Sequence, residues 1–306
     1  MRRLLLLIAF TLSACGGATA SLQPQDVAAR QVPVAQTTAL AAHTAGPRPG
    51  SQAVSPALIV TPEAADQIDA VLARQDGRAA VVVAGGRSGD ILYAFDPDEP
   101  VFAASLYKLG VLLEAERRID AGTLLPSDLI TVTAADQSEN GSFTAAESVL
   151  TVDEALERTI VLSDNAAALA LIRRLGVSTI QATLDRERIY LRFTADGAIT
   201  TARGIATFFG ELVRGSLVSR DASARMLARL SRQRTVDRLP AALPAGAVIA
   251  HKTGNLGFAT HDAGIVAGPG GAPIVLVVLT WDSAEQDAIE LIKEIAVLAY
   301  AGLART

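Results

Sequence analysis

The stretch FAASLYKLGVLL, residues 102–113, places a hydroxyl and an amine on a helix that is otherwise built for burial. Ser105 and Lys108 are three residues apart, so on a helix they share one face. A serine becomes a nucleophile only with a base in hydrogen-bond reach, and a lysine serves as that base when burial or a nearby positive charge weakens its hold on a proton. The pattern therefore indicates a nucleophile–base pair, with a capping serine and a snorkelling lysine as the structural alternative.

The composition is that of a folded protein with an aliphatic core. Of the 306 residues, 50% are hydrophobic, 19% are charged and 4% are aromatic, and the net charge is −5. The chain has no long basic run and no alternation of basic and aromatic residues, so we expect no nucleic-acid partner. The single cysteine excludes an internal disulfide and a cysteine-based metal site. No other metal-ligating pattern occurs, so neither metal nor cofactor is predicted.

The N-terminus, MRRLLLLIAFTLSACGG, has the layout of a secretory signal: two arginines, then an apolar run too short to span a bilayer. The sequence LSAC that ends at Cys15 resembles the bacterial lipobox, whose cysteine becomes the lipidated first residue. We therefore predict a lipoprotein signal peptide over 1–14 and an extracytoplasmic, membrane-anchored protein. An ordinary signal peptide with a chance cysteine is the alternative.

The rest of the chain divides into a tether and one folded domain. Residues 15–60 lack periodicity and are rich in Ala, Gln, Pro, Ser and Thr, which predicts a flexible tether. Thr61-Pro62 starts a helix, and two strands, RAAVVVAGG and DILYAFDPD, follow it. A mostly helical section over 105–230 precedes three strands, AVIAHKTGN, THDAGIVAG and PIVLVVLTW, and a helix over 285–303. This order predicts a domain over 61–306: a mixed sheet covered by the terminal helices, with a helical subdomain inserted.

Two further motifs follow the serine–lysine pair in the chain. Ser163-Asp164-Asn165 comes after the apolar helix VDEALERTIVL, and Lys252-Thr253-Gly254 ends a predicted strand. Each alone is weak, because the first is also an ordinary loop or N-cap. Together, in this order, S-x-x-K, S-D-N and K-T-G make the chain resemble the class A β-lactamases and related penicillin-binding serine enzymes. The resemblance runs from about Thr61 to the C-terminus.

The resemblance implies a fold and a role for each residue. The fold is α+β, a β-lactamase-like α/β sandwich of a mainly antiparallel sheet between N- and C-terminal helices, with an all-helical subdomain. Ser105 is the expected nucleophile, Lys108 its proton acceptor or a relay to one, and Ser163 the donor to the leaving nitrogen. Asn165 is expected to hold the substrate and Lys108, while Lys252 and Thr253 are expected to bind the substrate carboxylate. The backbone N–H groups of Ser105 and Asn255 are expected to form the oxyanion hole. Asp164 is expected to brace the loop.

One departure from the family concerns deacylation. Class A enzymes use a glutamate in the motif E-x-x-L-N, on an Ω-shaped loop, to activate water. Residues 166–199 contain no such motif, and the interval is short for an Ω-loop. Its one glutamate, Glu187, is expected to be a charged helix-end residue, and Asp196 a turn acid, with a role as substitute base as the alternative for each.

Two histidines lie near the K-T-G motif. His251 alternates with the inward residues of its strand and is expected to face solvent. His261 and Asp262 are expected to form a satisfied strand-end pair, with a general base as the alternative. The arginine that many family members carry near this place, to help bind the substrate carboxylate, is missing from this stretch.

These expectations give an active-site-serine hydrolase that forms an acyl-enzyme with β-lactams. Three alternatives remain: a D-alanyl-D-alanine peptidase, another amide or ester hydrolase, or a lipoprotein that binds penicillin or peptidoglycan without turnover. The expected partners are a β-lactam or cell-wall peptide, and a membrane through lipid on Cys15. We expect a monomer.

Overall fold

The computed structural model describes residues 58–138 and 140–305. The predicted signal peptide, Cys15 and most of the predicted tether lie outside this part. The described helices are α1 (Pro62–Arg74), α2 (Lys108–Asp120), α3 (Val152–Val161), α4 (Asn165–Leu175), α5 (Val177–Arg186), α6 (Ala202–Arg214), α7 (Arg220–Leu230), α8 (Leu239–Ala242) and α9 (Glu285–Ala301). The described strands are β1 (Leu58–Val60), β2 (Arg78–Gly85), β3 (Ile91–Phe95), β4 (Val101–Phe102), β5 (Leu129–Thr131), β6 (Val149–Thr151), β7 (Leu191–Thr194), β8 (Gly197–Thr200), β9 (Val248–Asn255), β10 (Ala259–Ala267), β11 (Pro273–Trp281) and β12 (Leu303–Arg305).

A five-stranded antiparallel sheet forms the centre of the domain, in the order β3-β2-β11-β10-β9. The central strands β2 and β11 are continuous apolar runs, VVVA and IVLVVL, because both of their faces are covered. Strand β9, which carries the K-T-G motif, lies at one edge of the sheet. The motif is therefore held by backbone pairing to β10 on one side, and the segment around Ser105 packs against the same strand.

The terminal helices cover one face of this sheet, as predicted. Thr61 caps α1 by accepting from the Ala64 N–H at 3.4 Å, and Pro62 occupies the first turn. Ile68 on α1 and Ile292 on α9 are fully buried in one apolar cluster with Val81 and Val278 of the sheet. The chain folds into this layer because each helix has one apolar stripe that the sheet completes.

The inserted region packs on the other side of the sheet through α6, and it surrounds α2. Helix α2 is buried almost all round, since α4, α5 and α7 contact it. This region was predicted to be all-helical, but it also holds two short strand groups, β5–β6 and β4–β8–β7. Strands of two to four residues are too short to show a period-two pattern, which is why the sequence did not indicate them.

The folded part begins earlier than predicted. Strand β1, within the predicted tether, pairs antiparallel with β12, so Leu58 lies opposite Arg305. This pairing ties both ends of the described part together. None of the described helices has the length and apolarity that crossing a membrane requires.

Candidate active site

The three motifs meet where the sheet edge adjoins the helical region. Ser105 lies in a 3-10 helix, Ala104–Tyr107, that leads directly into α2. Ser163 stands in the short connection between α3 and α4, and Lys252 lies on β9. The sequence separation is large, but the side chains contact one another.

Lys108 is the centre of this cluster. Its Nζ lies 3.1 Å from Ser105 Oγ, 3.1 Å from Ser163 Oγ and 2.6 Å from Asn165 Oδ1, and it also contacts the Ser163 carbonyl at 2.5 Å. The side chain is fully buried. Burial, and next the nearby Lys252, push the pKa of Lys108 well below its ordinary value, while Asp164 acts in the opposite direction. A neutral amine placed against a serine hydroxyl can accept its proton.

Lys252 is the second amine that contacts the Ser163 hydroxyl. Its Nζ donates to Ser163 Oγ at 3.1 Å and to the Thr253 carbonyl at 2.9 Å. Burial lowers the pKa of Lys252 to about 7; Asp262 opposes this fall and Arg238 adds to it. Ser163 Oγ therefore bridges two amines, an arrangement suited to passing a proton between them.

Asp164 braces the loop, as predicted. One carboxylate oxygen accepts from the Phe143 N–H at 3.1 Å and the Ala166 N–H at 3.0 Å, which caps α4. The other accepts from the Thr144 hydroxyl. These bonds join the segment 140–144 to the S-D-N turn, so the two segments form one wall of the site.

Asn165 sits beside this wall and has two contacts. Its Oδ1 accepts from Lys108 and its Nδ2 donates to the Asn140 carbonyl at 2.7 Å. The predicted contact with Lys108 is therefore present. The amide orientation follows from these partners, since an ammonium or amine donor faces the oxygen and a carbonyl faces the nitrogen.

Close approach of β9 to the nucleophile explains the glycine of K-T-G. A Cβ on Gly254 would lie 3.0 Å from Ala104 Cβ and 3.1 Å from His261 Cδ2. A larger residue at this position would push Ala104 or His261 aside by a few tenths of an ångström, so glycine suits the close approach. The two N–H groups expected to form the oxyanion hole, on Ser105 and Asn255, thus belong to segments that pack against each other. The Asn255 side chain does not enter this role, because it bonds Glu285 and the Gly257 N–H.

Backbone strain occurs at both hydroxyl-bearing segments. Ala104, just before Ser105, has φ of 44°, and Ser163 has φ of 58°. Left-handed conformations of non-glycine residues cost on the order of 1–3 kcal/mol each and persist where surrounding contacts fix them. At Ser163 the lysine contacts and the Asp164 cap supply this fixation.

Comparison with known proteins shows a match over most of the chain. Residues 63–303 match the family model described as the β-lactamase enzyme family. The chain belongs to the β-lactamase enzyme family. It is 35% identical over 159 residues to a β-lactamase of Streptomyces albus G. The aligned region covers 47% of this chain and 50% of the Streptomyces enzyme. The chain thus spans about half the length of the Streptomyces relatives that it matches.

Solved structures match over more of the chain. PBP-A has a TM-score of 0.73 and 26% identity, covering 78% of this chain and 95% of its own. An ancestral class A β-lactamase has a TM-score of 0.70 and 27% identity, covering 77% and 98%. These matches confirm the predicted fold class.

In this member of the β-lactamase enzyme family, the stretch between α4 and α6 holds helix α5 and the strands β7 and β8. Helix α5 is followed by the hairpin β7–β8, whose strands lead to the Thr201 cap of α6. Glu187 ends α5 and pairs with Arg186 at 3.1 Å. Asp196 lies in the exposed hairpin turn. In the described part, the hydrogen-bond partners of Ser105 Oγ, Lys108 Nζ and Ser163 Oγ include no carboxylate.

The histidines differ from what the strand pattern predicted. His251 was expected to face solvent but is only 4% exposed, and its Nδ1 bonds Asp262 Oδ1 at 2.9 Å. Asp262 thus pairs with His251, across the strand pair, and not with its neighbour His261. The expectation failed because alternation on an edge strand does not reveal which segments lie beside its second face, where Gln233 and Pro240 border the same pocket as His251.

His261 is a buried neutral histidine. Its Nε2–H donates to the Phe102 carbonyl at 2.8 Å, and its Nδ1 accepts from the Thr280 N–H at 3.2 Å. Burial lowers the pKa of His261 to about 4, against the opposing effect of the neighbouring carbonyls. Both nitrogens are engaged, so this side chain ties β10 to the segment that leads to Ser105, and the general-base alternative is wrong.

An arginine does reach this region, contrary to the sequence expectation. Arg238, just before α8, is 2% exposed, and its Nη1 donates to the His261 carbonyl at 3.3 Å. Its positive charge contributes, after burial, to the lowered pKa of Lys252. Sequence inspection missed Arg238 because it lies in RQRTVDRLP, one of several arginines with no distinguishing spacing.

Proposed function

We propose that this protein is an active-site-serine hydrolase that β-lactams acylate at Ser105. The observation that carries the proposal is that buried Lys108 Nζ lies 3.1 Å from both Ser105 Oγ and Ser163 Oγ. Membership of the β-lactamase enzyme family supports the substrate class. A variant of PBP-A is described as an acyl-enzyme complex with penicillin G, which supports the same intermediate here.

Acylation proceeds with each proton accounted for. Ser105 Oγ attacks the lactam carbonyl carbon, and its proton passes to the neutral amine of Lys108. Backbone N–H groups of Ser105 and Asn255 stabilise the oxyanion. The C–N bond then breaks as Ser163 Oγ–H donates to the lactam nitrogen, and Ser163 recovers a proton from the Lys108 ammonium. An ester on Ser105 and an opened ring with a secondary amine result.

Substrate recognition in this proposal is ionic. Lys252 donates to Ser163 and Thr253, and as an ammonium it has a third N–H for the substrate carboxylate. Arg238 adds positive field at the same place. Asn165 Nδ2 and the wall around residues 140–144 border the side of the cleft where the acylamino group would lie.

Fluorescent penicillin tests the proposal. Wild type should become covalently labelled, while Ser105→Ala should not be labelled and should keep its unfolding temperature. Ser88→Ala, in the exposed turn between β2 and β3, is the matched control and should label normally. Labelling of Ser105→Ala at the wild-type rate would contradict the proposal.

We further propose that the protein is a monomer held outside the cytoplasm by lipid on Cys15. The lipobox-like sequence before Cys15 supports this anchoring. Cys15→Ser should move the protein from the membrane fraction to the soluble extracytoplasmic fraction or stall its processing. Wild type recovered wholly in the soluble fraction, with cleavage elsewhere, would contradict the anchor.

Light scattering of the domain should give the mass of one chain, and a dimer mass would contradict the monomer.

A further inference from the structure

Lys252 is a buried cation without a direct counter-ion. In residues 58–138 and 140–305 it forms no salt bridge, and its hydrogen bonds go to the neutral acceptors Ser163 Oγ and the Thr253 carbonyl. Its role in the proposed function requires a positive charge. Something in the structure must therefore offset the cost of burying that charge.

Asp262 is the negative group that favours the Lys252 ammonium. It lies opposite Thr253 in the β9–β10 pair, while Lys252 lies opposite Ala263, so Asp262 and Lys252 occupy opposite faces of the sheet. The carboxylate is fully buried. Its field reaches the lysine across the β9–β10 pair, where the side chains of both residues are buried and solvent screening is weak.

Two donors hold this carboxylate in place. The Leu239 N–H donates to Oδ2 at 3.1 Å, and His251 Nδ1–H donates to Oδ1 at 2.9 Å. Because the acceptor is a carboxylate, Nδ1 carries the proton in the neutral imidazole. A buried carboxylate without such donors would tend to take up a proton and lose its charge.

We propose that His251 and Asp262 are a positioning pair: the imidazole holds the carboxylate as an anion behind β9, and the anion keeps Lys252 cationic for binding an anionic substrate. The inference rests on the proposed function and extends it to residues on the far face of the sheet. His251 and Asp262 touch no substrate. They act through Lys252.

Other charges around the pair set the conditions of the test. The charged and titratable groups that face it or its lysine are Lys108, Asp164, Arg238 and His261, and beyond Arg238 lie Asp237 and Glu285. His251 also borders a pocket of about 140 Å³ with Gln233, Pro240 and Ile249. A smaller side chain at 251 therefore has water-sized space beside it.

The experiment measures the second-order rate of acylation by penicillin G against pH, with penicillin G methyl ester as a probe that lacks the carboxylate. In wild type the rate with penicillin G should fall as pH rises through about 7, where free Lys252 loses its charge. In Asp262→Asn and His251→Ala the midpoint of this fall should move at least one pH unit lower. At pH values above the midpoints of both proteins, a shift of one unit makes acylation by penicillin G about tenfold slower in the variant than in wild type. His251→Gln, which keeps an N–H donor, should return the midpoint toward wild type.

The outcomes separate the two proposals. A merely structural pair would lower the rate equally at all pH values and would not move the midpoint, which would overturn the positioning role. A midpoint shift seen equally with the methyl ester would also overturn it, since that probe does not need the Lys252 charge. If Asp262→Asn does not fold, the His251→Ala and His251→Gln comparison decides alone. Wild type that is not acylated at all would instead refute the proposed function.

Discussion

At the residue scale, the protein depends on the protonation states of two buried lysines. Lys108 and Lys252 share the hydroxyl of Ser163, yet Lys108 must be neutral and Lys252 protonated to perform their roles. Burial and the second amine drive Lys108 toward the neutral form. Asp262 works against the same burial at Lys252. The division between base and cation therefore comes from the surroundings and not from the residue type.

Replacing Lys108 tests its role as base. Lys108→Ala should slow acylation by about 10²–10⁴-fold, the usual contribution of a positioned base. Lys108→Arg should be as slow, because a guanidinium keeps its proton. Time-resolved labelling with fluorescent penicillin measures both rates. Near-wild-type acylation by Lys108→Arg would show that another group accepts the proton.

The buried Lys252 should weaken the fold at low pH. Its pKa is lowered from 10.5 to about 7 on folding, so between these values the unfolded chain binds more protons and stability rises with pH. The destabilisation is complete below about pH 7, at about 1.4 kcal/mol per pKa unit. In urea unfolding at pH 6, Lys252→Met should therefore have a higher unfolding free energy than wild type. This difference in unfolding free energy should become smaller toward pH 9.

Lys293→Met is the control for this measurement, because Lys293 is partly exposed on α9 and pairs with Glu290. It should change the unfolding free energy by no more than about 0.5 kcal/mol. A Lys252→Met gap that stays constant with pH would contradict the assigned titration.

At the element scale, the site depends on how the segment 140–144 and the start of α4 are joined. Asp164 accepts from Phe143, Thr144 and Ala166, which lie in these two segments. Asp164 is fully buried, and in the described part it is the carboxylate that accepts hydrogen bonds from both segments. Asp164 therefore braces this wall together with Asn165, whose N–H donates to the Gly141 carbonyl at 2.7 Å and whose Nδ2 donates to the Asn140 carbonyl at 2.7 Å.

Asp164→Ala should lower the free energy of unfolding by about 3 kcal/mol, because two buried N–H groups and a hydroxyl lose a charged partner. Acylation should slow as well, since the wall moves away from Ser163. Urea unfolding and the labelling rate measure the two effects. Asp196→Ala, in an exposed turn, is the matched control and should stay within about 0.5 kcal/mol. Equal stability of the two variants would contradict the bracing role.

The hairpin β7–β8 bears on the second chemical step. Deacylation needs a base that holds water against the ester, and a positioned base contributes about 10²–10⁴ in rate. Glu187 and Asp196 bond elsewhere or face solvent. Glu187→Ala and Asp196→Ala should leave the slow turnover of penicillin G unchanged within about twofold, measured by steady-state hydrolysis. A tenfold loss in either variant would identify it as the base.

At the scale of the whole molecule, the sequence revealed what repeats or has a fixed spacing. The strands VVVA and IVLVVL, the Thr61-Pro62 helix start and the three motifs were all visible, because burial on both faces, capping and catalysis each restrict residue types. The β7–β8 hairpin, the burial of His251 and the reach of Arg238 were not. The strands of the hairpin have four residues each and are too short to show a period-two pattern. The other two features depend on contacts between different segments, such as Arg238 with His261, and leave no local pattern.

Intact-mass spectrometry during the reaction with penicillin G tests the central claim, acylation at Ser105, most directly. Within minutes of mixing, most wild-type molecules should carry the mass of one penicillin, and digestion should place it on the peptide that contains Ser105. Slow release should follow a burst of one equivalent of product. The absence of both adduct and turnover, or an adduct on a different peptide, would contradict the account.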